Sequence, residues 1–265
     1  TGQSNQTACA VGTYQSATGQ TSCGDAESGN YVDQTGQSSQ TACAVGTYQS
    51  ATGQTSCVAA SVGNYVDQTG QSNQTACAVG TYQSATGQTS CGDAESGNYV
   101  DQTGQSSQTA CAVGTYQVDA GQDSCDDADA GSYVPATGQS NQTVCATGTY
   151  QSLTAQSDCD EASTGHYVPA TGQTSQTICA VGTFQEDTRQ SSCDDADAGS
   201  YVSATGQTSQ TDCAVGTYQS ATGQTSCDNA DAGSYVPATG QSNQTVCAVG
   251  TYQSATGQTS CDNAD

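Results

Sequence analysis

The aromatic residues of this chain recur at one constant interval, from Tyr14 and Tyr31 to Tyr252, and this spacing constrains the fold more than any other feature. Phe184 is the one aromatic that is not tyrosine, and it keeps the spacing. A glycine stands two positions before each aromatic, and a glutamine recurs with the same period. Such self-similarity indicates one small supersecondary element per interval, stacked on copies of itself.

Each interval is a 17-residue half-unit, and the half-units alternate between two versions, so the full unit is a 34-residue repeat. Residues 1–34 and 69–102 have the same sequence throughout. The predicted units are 1–34, 35–68, 69–102, 103–136, 137–170, 171–204, 205–238 and a truncated 239–265. We predict one continuous tandem-repeat rod with no separate globular domain, and we expect it to be a stretch of a longer protein.

The aliphatic content is too low for an ordinary hydrophobic core. Val, Leu, Ile and Phe together number 22 in 265 residues, and the formal net charge is −24. Such a composition is typical of disorder, but 16 cysteines at fixed spacing favour an ordered chain. The acidic excess argues against nucleic acid, which attracts Lys and Arg. No apolar run approaches the roughly 20 residues of a membrane span, so we expect no membrane insertion.

The cysteines alternate between a shorter and a longer spacing, which leaves two regular pairings, Cys9 with Cys23 or Cys23 with Cys43. One half-unit along from Cys9 and Cys23 stand Ala26 and Gln40, so the second half-unit lacks both members of the shorter pair. This joint loss favours the shorter pairing, although the cysteine count alone allows others. The favoured pairs are Cys9–Cys23, Cys43–Cys57, Cys77–Cys91, Cys111–Cys125, Cys145–Cys159, Cys179–Cys193, Cys213–Cys227 and Cys247–Cys261.

Disulfides explain these cysteines better than zinc does. Zinc sites favour C-x2-C pairs or histidine partners, whereas this chain has no C-x2-C and a single histidine, His166. A bridge that closes a loop of this length contributes about 3 kcal/mol in the chain-entropy treatment, which offsets a weak core. Because such bridges need an oxidising compartment, we predict an extracellular or cell-surface protein.

The segment from Cys9 to Cys23 has the pattern of a β-hairpin. Val-Gly-Thr-Tyr-Gln is a short strand rich in β-branched and aromatic residues, Ala-Thr-Gly-Gln forms a turn, and Thr-Ser-Cys returns. The predicted fold class is all-β, an elongated, disulfide-stapled ladder of short hairpins. A β-solenoid with 17-residue coils is the alternative, because columns of Gln and Tyr suit side-chain ladders about 4.8 Å apart.

Two glycine columns differ in what they tolerate. The turn glycine is replaced by Ala155 and Arg189 in two units, so we interpret that position as permissive. Gly12 and its counterparts before the aromatics are never replaced. We therefore predict that Gly12 makes close backbone contact with the next unit or lets the tyrosine ring pack over it.

Residues 9–14 read Cys-Ala-Val-Gly-Thr-Tyr, residues 18–23 read Thr-Gly-Gln-Thr-Ser-Cys, and Ala26 stands where a further cysteine would follow. This order resembles the ephrin-receptor-like and tumour-necrosis-factor-receptor-like cysteine-rich repeats, which read C-x-x-G-T-Y, a glycine turn and S-C-x-x-C. The resemblance covers the whole chain, with alternate bridges lost. It implies an elongated, disulfide-stapled extracellular rod without catalytic activity.

We expect no enzymatic activity and predict no catalytic residue. The chain has no Lys, one Arg and one His, and a general base cannot recur in repeats that lack it. His166 takes a position held elsewhere by Asn30 or Ser132, and we interpret it as an exposed substitution.

Runs of aspartate before a glycine are the candidate metal site, because closely spaced Asp oxygens can coordinate Ca²⁺. The second unit has Val58, Ala59 and Ala60 at the same place, and no bidentate glutamate follows the runs. Solvated charge that keeps the repeat soluble is therefore the favoured interpretation. The candidate calcium ligands are Asp126, Asp127, Asp129, Asp194, Asp195 and Asp197. No other cofactor is predicted.

Asn-Gln-Thr sequons recur in one column and are candidates for N-glycosylation. Other units have serine in that column, so a turn position that accepts Asn or Ser is the competing interpretation. Ser and Thr line every turn, which makes O-glycans an equal candidate. The sequon asparagines are Asn5, Asn73, Asn141 and Asn243.

The regularity favours a structural function, because near-identical copies suit a spacer whose length is set by repeat number. We predict a glycosylated extracellular fibre, stalk or filament segment of a microbial surface or matrix. Its expected partners are further copies of itself or neighbouring repeats. The alternative is a binding module, either a calcium-dependent adhesin or an ice-binding protein. The ice-binding hypothesis rests on the column of Thr18 and its counterparts, which is broken only at Ala120.

Overall fold

The computed structural model describes residues 6–264, and every regular element in that range is a two-residue β-strand. The strands pair into 15 antiparallel hairpins, each a separate two-stranded sheet. The predicted all-β hairpin repeat is confirmed. The solenoid alternative is wrong, because it requires parallel pairing between successive coils, and no strand pair within residues 6–264 is parallel.

Eight hairpins carry a cysteine at the end of their loop, and we call them the bridged hairpins. Their outgoing strands begin with Thr, and their return strands begin directly after the cysteine. They are β1–β2 (Thr13–Tyr14, Gly24–Asp25), β5–β6 (Thr47–Tyr48, Val58–Ala59), β9–β10 (Thr81–Tyr82, Gly92–Asp93), β13–β14 (Thr115–Tyr116, Asp126–Asp127), β17–β18 (Thr149–Tyr150, Asp160–Glu161), β21–β22 (Thr183–Phe184, Asp194–Asp195), β25–β26 (Thr217–Tyr218, Asp228–Asn229) and β29–β30 (Thr251–Tyr252, Asp262–Asn263).

The seven other hairpins have a glutamine where the bridged hairpins have the loop cysteine, and we call them the amide hairpins. Their outgoing strands begin with Asn, Ser or His, and all their return strands begin with Thr. They are β3–β4 (Asn30–Tyr31, Thr41–Ala42), β7–β8 (Asn64–Tyr65, Thr75–Ala76), β11–β12 (Asn98–Tyr99, Thr109–Ala110), β15–β16 (Ser132–Tyr133, Thr143–Val144), β19–β20 (His166–Tyr167, Thr177–Ile178), β23–β24 (Ser200–Tyr201, Thr211–Asp212) and β27–β28 (Ser234–Tyr235, Thr245–Val246).

The register of each hairpin places the return strand later than the sequence predicted. In the first hairpin Thr13 pairs with Asp25 and Tyr14 pairs with Gly24. The prediction that Thr-Ser-Cys forms the return strand is wrong, since that segment ends the loop. Cys23 lies outside the ladder, as Gln40 does in the next hairpin, and its side chain bonds to Cys9, which precedes the first strand.

Backbone hydrogen bonds tie each hairpin to the next along the chain within each compact unit. Gly12 N donates to Val32 O at 2.8 Å, and Gln15 N donates to Gln37 O at 3.2 Å. These bonds recur at the equivalent positions of later hairpins. They satisfy backbone groups that two-residue strands leave unpaired.

The glycine before the aromatic contacts the second hairpin along the chain in most half-units, although Gly233 and Gly250 have no such neighbour among the described residues. A Cβ built on Gly12 would overlap the carbonyl oxygen of Gly53, and one built on Gly29 would overlap that of Gly70. The predicted close backbone contact is therefore confirmed. Because Gly12 and Gly53 both belong to bridged hairpins and Gly29 and Gly70 to amide hairpins, hairpins of the same kind are in direct contact.

The buried core is a narrow column of small side chains. Cys43 and Ala60 hold equivalent positions in successive half-units, and both are fully buried. Val66 is 2% exposed, whereas the rings of Tyr48 and Tyr65 remain half-buried. The core of each compact unit is therefore thin, as the low aliphatic content predicts.

The chain divides into two compact units, Thr1–Asp127 with Ala136–Asn141 and Ala128–Pro135 with Gln142–Asp265. The first unit holds hairpins β1–β2 to β13–β14, and the second holds β15–β16 to β29–β30. Each unit contains both kinds of hairpin. The same repeat therefore builds both.

Candidate functional site

A disulfide closes each bridged hairpin by joining the end of its loop to the segment before its first strand. Cys43–Cys57 spans 14 residues with Cα atoms 5.7 Å apart. Cys43 is fully buried, whereas Cys57 is half-buried. The pairs, which are those favoured by the shorter spacing, are Cys9–Cys23, Cys43–Cys57, Cys77–Cys91, Cys111–Cys125, Cys145–Cys159, Cys179–Cys193, Cys213–Cys227 and Cys247–Cys261. Eight disulfides indicate an oxidising environment of the extracellular type.

A glutamine side chain closes each amide hairpin at the same place. Gln74 Oε1 accepts a hydrogen bond from Ser61 N at 2.8 Å, and its Nε2 donates to Ser61 Oγ at 2.9 Å. Where the partner is acidic, Nε2 donates to the carboxylate, as Gln142 does to Asp129. The closing pairs are Gln40–Glu27, Gln74–Ser61, Gln108–Glu95, Gln142–Asp129, Gln176–Ser163, Gln210–Asp197 and Gln244–Asp231.

Sequence reasoning missed this closure because it treated Gln40 only as the loss of a cysteine. The signal was present, since glutamine occupies that position in every half-unit without the bridge. Its long amide side chain can accept from a backbone N–H and donate in return. The glutamine at this position therefore replaces the disulfide as the closure of the amide hairpin.

A second glutamine braces the loop of each bridged hairpin from inside. Gln49 Nε2 donates to Ser56 O at 2.8 Å, and Gln49 Oε1 accepts from Ala51 N at 3.1 Å. The side chain is 7% exposed. Val66 holds the equivalent position in the following amide hairpin. This position therefore has a hydrogen-bonded glutamine in the bridged hairpin and an apolar valine in the amide hairpin.

The second run of aspartates does not gather its carboxylates. Asp194 and Asp195 form β22, and neighbouring strand residues project to opposite faces. Asp194 Oδ2 accepts from Gln185 Nε2 at 3.3 Å, and Asp197 Oδ2 accepts from Gln210 Nε2 at 2.7 Å. Within residues 6–264 no three His, Cys, Asp or Glu side chains form a group that could hold a metal ion. Calcium binding stays a prediction.

The first run has the same local arrangement. Asp126 and Asp127 form β14. Asp129 Oδ2 accepts from Gln142 Nε2 at 2.6 Å, and Asp129 N donates to Gln142 Oε1 at 2.7 Å. Asp129 therefore helps to close an amide hairpin.

The sequon asparagines lie in exposed hairpin loops. Asn73, Asn141 and Asn243 are all exposed. The amide of each contacts only the hydroxyl of the preceding serine, at 3.5, 3.2 and 3.2 Å respectively. Asn5 lies outside the described residues. The three described asparagines are accessible to a modifying enzyme, and their glycosylation stays a prediction.

The His166 side chain contacts the backbone carbonyl two residues earlier, as the asparagine does at the equivalent position of other repeats. Its Nδ1 lies 3.1 Å from Thr164 O, which is hydrogen-bonding distance for the tautomer with a proton on Nδ1. Asn64 Nδ2 donates to Val62 O at 3.1 Å in the equivalent place. His166 is half-buried rather than exposed, which corrects that part of the interpretation.

The turn glycine position requires a left-handed backbone. Gly53 has φ 69°, and Ala155 and Arg189 retain φ 59° and 63°. An L-residue in this region costs about 1–2 kcal/mol. Glycine is therefore not obligate at this position, as predicted, because there is room for a side chain, but any residue other than glycine is strained.

The chain's only Leu, Ile, Phe, His and Arg all fall between residues 153 and 189. Leu153 is 62% exposed and Ile178 is 49% exposed, so neither adds to the core. Leu153 and Ile178 therefore alter the surface of this segment, which lies in the second compact unit.

A cleft of about 510 Å³ opens in this segment, lined in part by Tyr133, Val144, Asp158, Glu161 and Arg189. Arg189 Nη1 lies 3.7 Å from Glu161 Oε1, and the two side chains are 62% and 52% exposed. The cleft combines a cation, two carboxylates, an aromatic ring and an aliphatic side chain. No other segment has a Lys or Arg to contribute to such a group.

Comparison of the chain with protein-family models and with curated proteins finds no match. The described residues contain no helix long and apolar enough to cross a membrane.

Proposed function

We propose that this chain is a structural segment of an extracellular fibre, stalk or filament of a microbial surface or matrix. The observation that carries the proposal is the recurrent contact between hairpins of the same kind, as between Gly12 and Gly53. Each further hairpin can make the same contact with the hairpin two positions before it. They suit a spacer whose length follows repeat number.

The surface chemistry supports the same function. Exposed carboxylates recur along the return strands of the bridged hairpins, as at Asp25, Asp93 and Asp195. Like charges of this density keep a repetitive chain soluble and oppose collapse onto itself. The proposed kinship with receptor-type cysteine-rich repeats agrees with a spacer function, and it rests on the C-x-x-G-T-Y motif and the glycine turn that leads to Ser-Cys.

Small-angle scattering of the full oxidised chain tests the spacer proposal. A compact globule of 265 residues has a radius of gyration of about 18 Å. We expect the radius of gyration of the monomer, extrapolated to infinite dilution, to lie well above this value. A radius near the globular value would overturn the proposal.

We further propose that the exposed sequons carry N-glycans in the native material. Asn73, Asn141 and Asn243 lie in loops that no other hairpin covers closely enough to bury them. The non-reduced intact mass of native protein tests this. We expect a ladder of sugar increments above 26.4 kDa that a peptide-N-glycosidase removes, and an unmodified mass would overturn it.

Self-association of copies is the proposed partner interaction. Dilute oxidised chain should show species larger than the monomer by light scattering, and more of them at high salt, which screens the carboxylates. Only monomers at every salt concentration would count against it. A melting temperature that falls on chelation would separately support calcium dependence.

Ice binding is a second candidate, favoured by one observation. The threonine column of Thr18 is exposed throughout the described residues and stands at the loop tips, as at Thr52 and Thr222. Thermal hysteresis of the oxidised chain tests it directly. Freezing at the equilibrium point without crystal shaping would exclude this candidate and leave the spacer proposal untouched.

A further inference from the structure

The cleft beside Arg189 contains the only arginine of the chain. Its volume of about 510 Å³ lies within the range of small-molecule sites, roughly 300–1,000 Å³. Tyr133 and Val144 form its apolar wall, and Asp158, Glu161 and Arg189 supply polar groups. All of these residues belong to the second compact unit.

Arg189 occupies its position at a cost in backbone energy. It has φ 63° at a turn where the other units, apart from that of Ala155, have glycine. Strained residues persist where the surroundings hold them, and they concentrate at functional sites. Ala155 has the same strain without a polar side chain, whereas Arg189 adds the only guanidinium of the chain beside Glu161.

The polar groups of the cleft retain unused hydrogen-bonding capacity. The 3.7 Å separation of Arg189 Nη1 and Glu161 Oε1 is longer than a hydrogen bond, so the guanidinium N–H groups are not consumed by the ion pair. Thr188 Oγ1 donates to Glu161 Oε2 at 3.3 Å and holds that carboxylate in place. Asp158 Oδ1 accepts from Cys159 N at 2.8 Å, which leaves Oδ2 as an acceptor.

We propose that this cleft binds a neutral saccharide. Sugar hydroxyls donate and accept at once, which matches a guanidinium and carboxylates side by side. The half-buried ring of Tyr133 and the methyl groups of Val144 suit the C–H face of a sugar ring. An anionic ligand would use Arg189 but would face a net charge of −24, and an amine would leave Arg189 without a role.

The inference goes beyond the proposed spacer function and stands independently of it. A spacer needs identical repeats, whereas this segment differs from them at the surface. A saccharide site would let the segment attach to a glycan, either on another molecule or on a neighbouring copy of the chain.

The test is ligand-observed saturation-transfer NMR on the full oxidised chain with N-acetylglucosamine, galactose and methyl mannoside as separate probes. We expect saturation transfer from at least one probe, with millimolar affinity. Arg189→Gly should weaken binding about tenfold or more, because it removes the charged donors. This variant restores the glycine that most units use at that turn, so folding should be preserved and the melting temperature should rise.

The matched control is Ala155→Gly, which relieves the same backbone strain outside the cleft and should leave binding unchanged. Glu161→Gln keeps the shape of the side chain and should also weaken binding. The proposal is overturned if no probe gives saturation transfer, or if Arg189→Gly binds as well as the parent chain. Tighter binding of glucuronate than of every neutral probe would instead identify an anion site and overturn the neutral class.

Discussion

The bridged hairpin at residues 47–59 and the amide hairpin at residues 64–76 differ in how their loops are closed. Their strands have the same length and the same pairing register. The first is closed by Cys43–Cys57 and the second by Gln74, whose side chain bonds to Ser61. One structural task is therefore performed covalently in one hairpin and by hydrogen bonds in the next.

The two closures differ in how much they stabilise their hairpins, and the two hairpins also differ in a buried side chain. A bridge of this loop length stabilises by about 3 kcal/mol, whereas a side-chain hydrogen bond contributes about 1 kcal/mol. The amide hairpin buries Val66 where the bridged hairpin has Gln49, and burying a valine contributes about 1.5–3 kcal/mol. The alternating half-units therefore combine two stabilising features, a disulfide in each bridged hairpin and a buried valine in the amide hairpin that follows it.

Reduction of all eight disulfides should have the largest effect, because it removes about 3 kcal/mol for each bridge. The amide hairpins contact bridged neighbours, so they should lose their structure as well. Amide hydrogen exchange of the reduced and alkylated chain measures this for both kinds of hairpin. Protected amide hairpins in the reduced chain would show that their closure is self-sufficient.

Gly80→Ala should be the most damaging single substitution among those compared. A Cβ at this position would overlap the carbonyl oxygen of Gly121, and the left-handed backbone adds strain. We expect a loss of about 4 kcal/mol in local stability. Amide hydrogen exchange in the hairpins of Gly80 (β9–β10) and Gly121 (β13–β14) measures this loss.

Gly87→Ala is the control for that substitution. Gly87 has φ 72°, close to the φ 77° of Gly80, but its Cβ would lie 3.8 Å from the Ala59 side chain, an ordinary contact. It should cost about 1–2 kcal/mol. Equal effects of the two substitutions would mean that the contact between hairpins of the same kind contributes nothing.

Replacing one disulfide by a glutamine tests whether the glutamine acts as a closure. Cys77→Ala combined with Cys91→Gln gives the bridged hairpin the two residues that an amide hairpin has at these positions. We expect a loss of about 2 kcal/mol, because one hydrogen-bonded closure replaces one bridge. Cys77→Ala with Cys91→Ser removes both closures and should cost about 3 kcal/mol. If the two double variants unfold at the same denaturant concentration, the glutamine does not act as a closure.

Gln74→Ala should have the smallest effect. It removes the bonds to the backbone and hydroxyl of Ser61 at an exposed site, so we expect a loss of about 1 kcal/mol. Faster exchange of the Ser61 amide hydrogen is the direct readout. Gln71→Ala is the control, since it shortens a glutamine in the same hairpin whose side chain makes no hydrogen bond within the described residues. The control should leave that exchange rate unchanged.

The periodic features of the fold were predictable because they are visible in one dimension. The interval between Tyr14 and Tyr31 sets the size of the element, and the lost positions Ala26 and Gln40 identify the pairing of Cys9 with Cys23. Each of these is a comparison of the sequence with itself. No knowledge of the path of the chain is needed.

The features that could not be predicted depend on where distant segments meet. The return strand starts directly after Cys23, and after Gln40 in the next hairpin, and the strand pattern of the sequence does not reveal this register. The strain at Arg189 and its approach to Glu161 arise only when the loop of one hairpin meets the strand of another. Gln40 lies between these cases, since its column is visible in the sequence while its bonding partner is not.

The position of each disulfide also determines how the chain responds to a pulling force. Between bridged loops the path from Cys23 to Cys43 extends to about 70 Å at about 3.5 Å per residue. The residues inside each bridge stay slack, whereas a fully opened repeat without the bridge would reach about 120 Å. An amide hairpin can therefore yield under load and lengthen the chain, while the bridged hairpin beside it sets the limit of that extension. The alternation therefore limits how far the segment can lengthen under load.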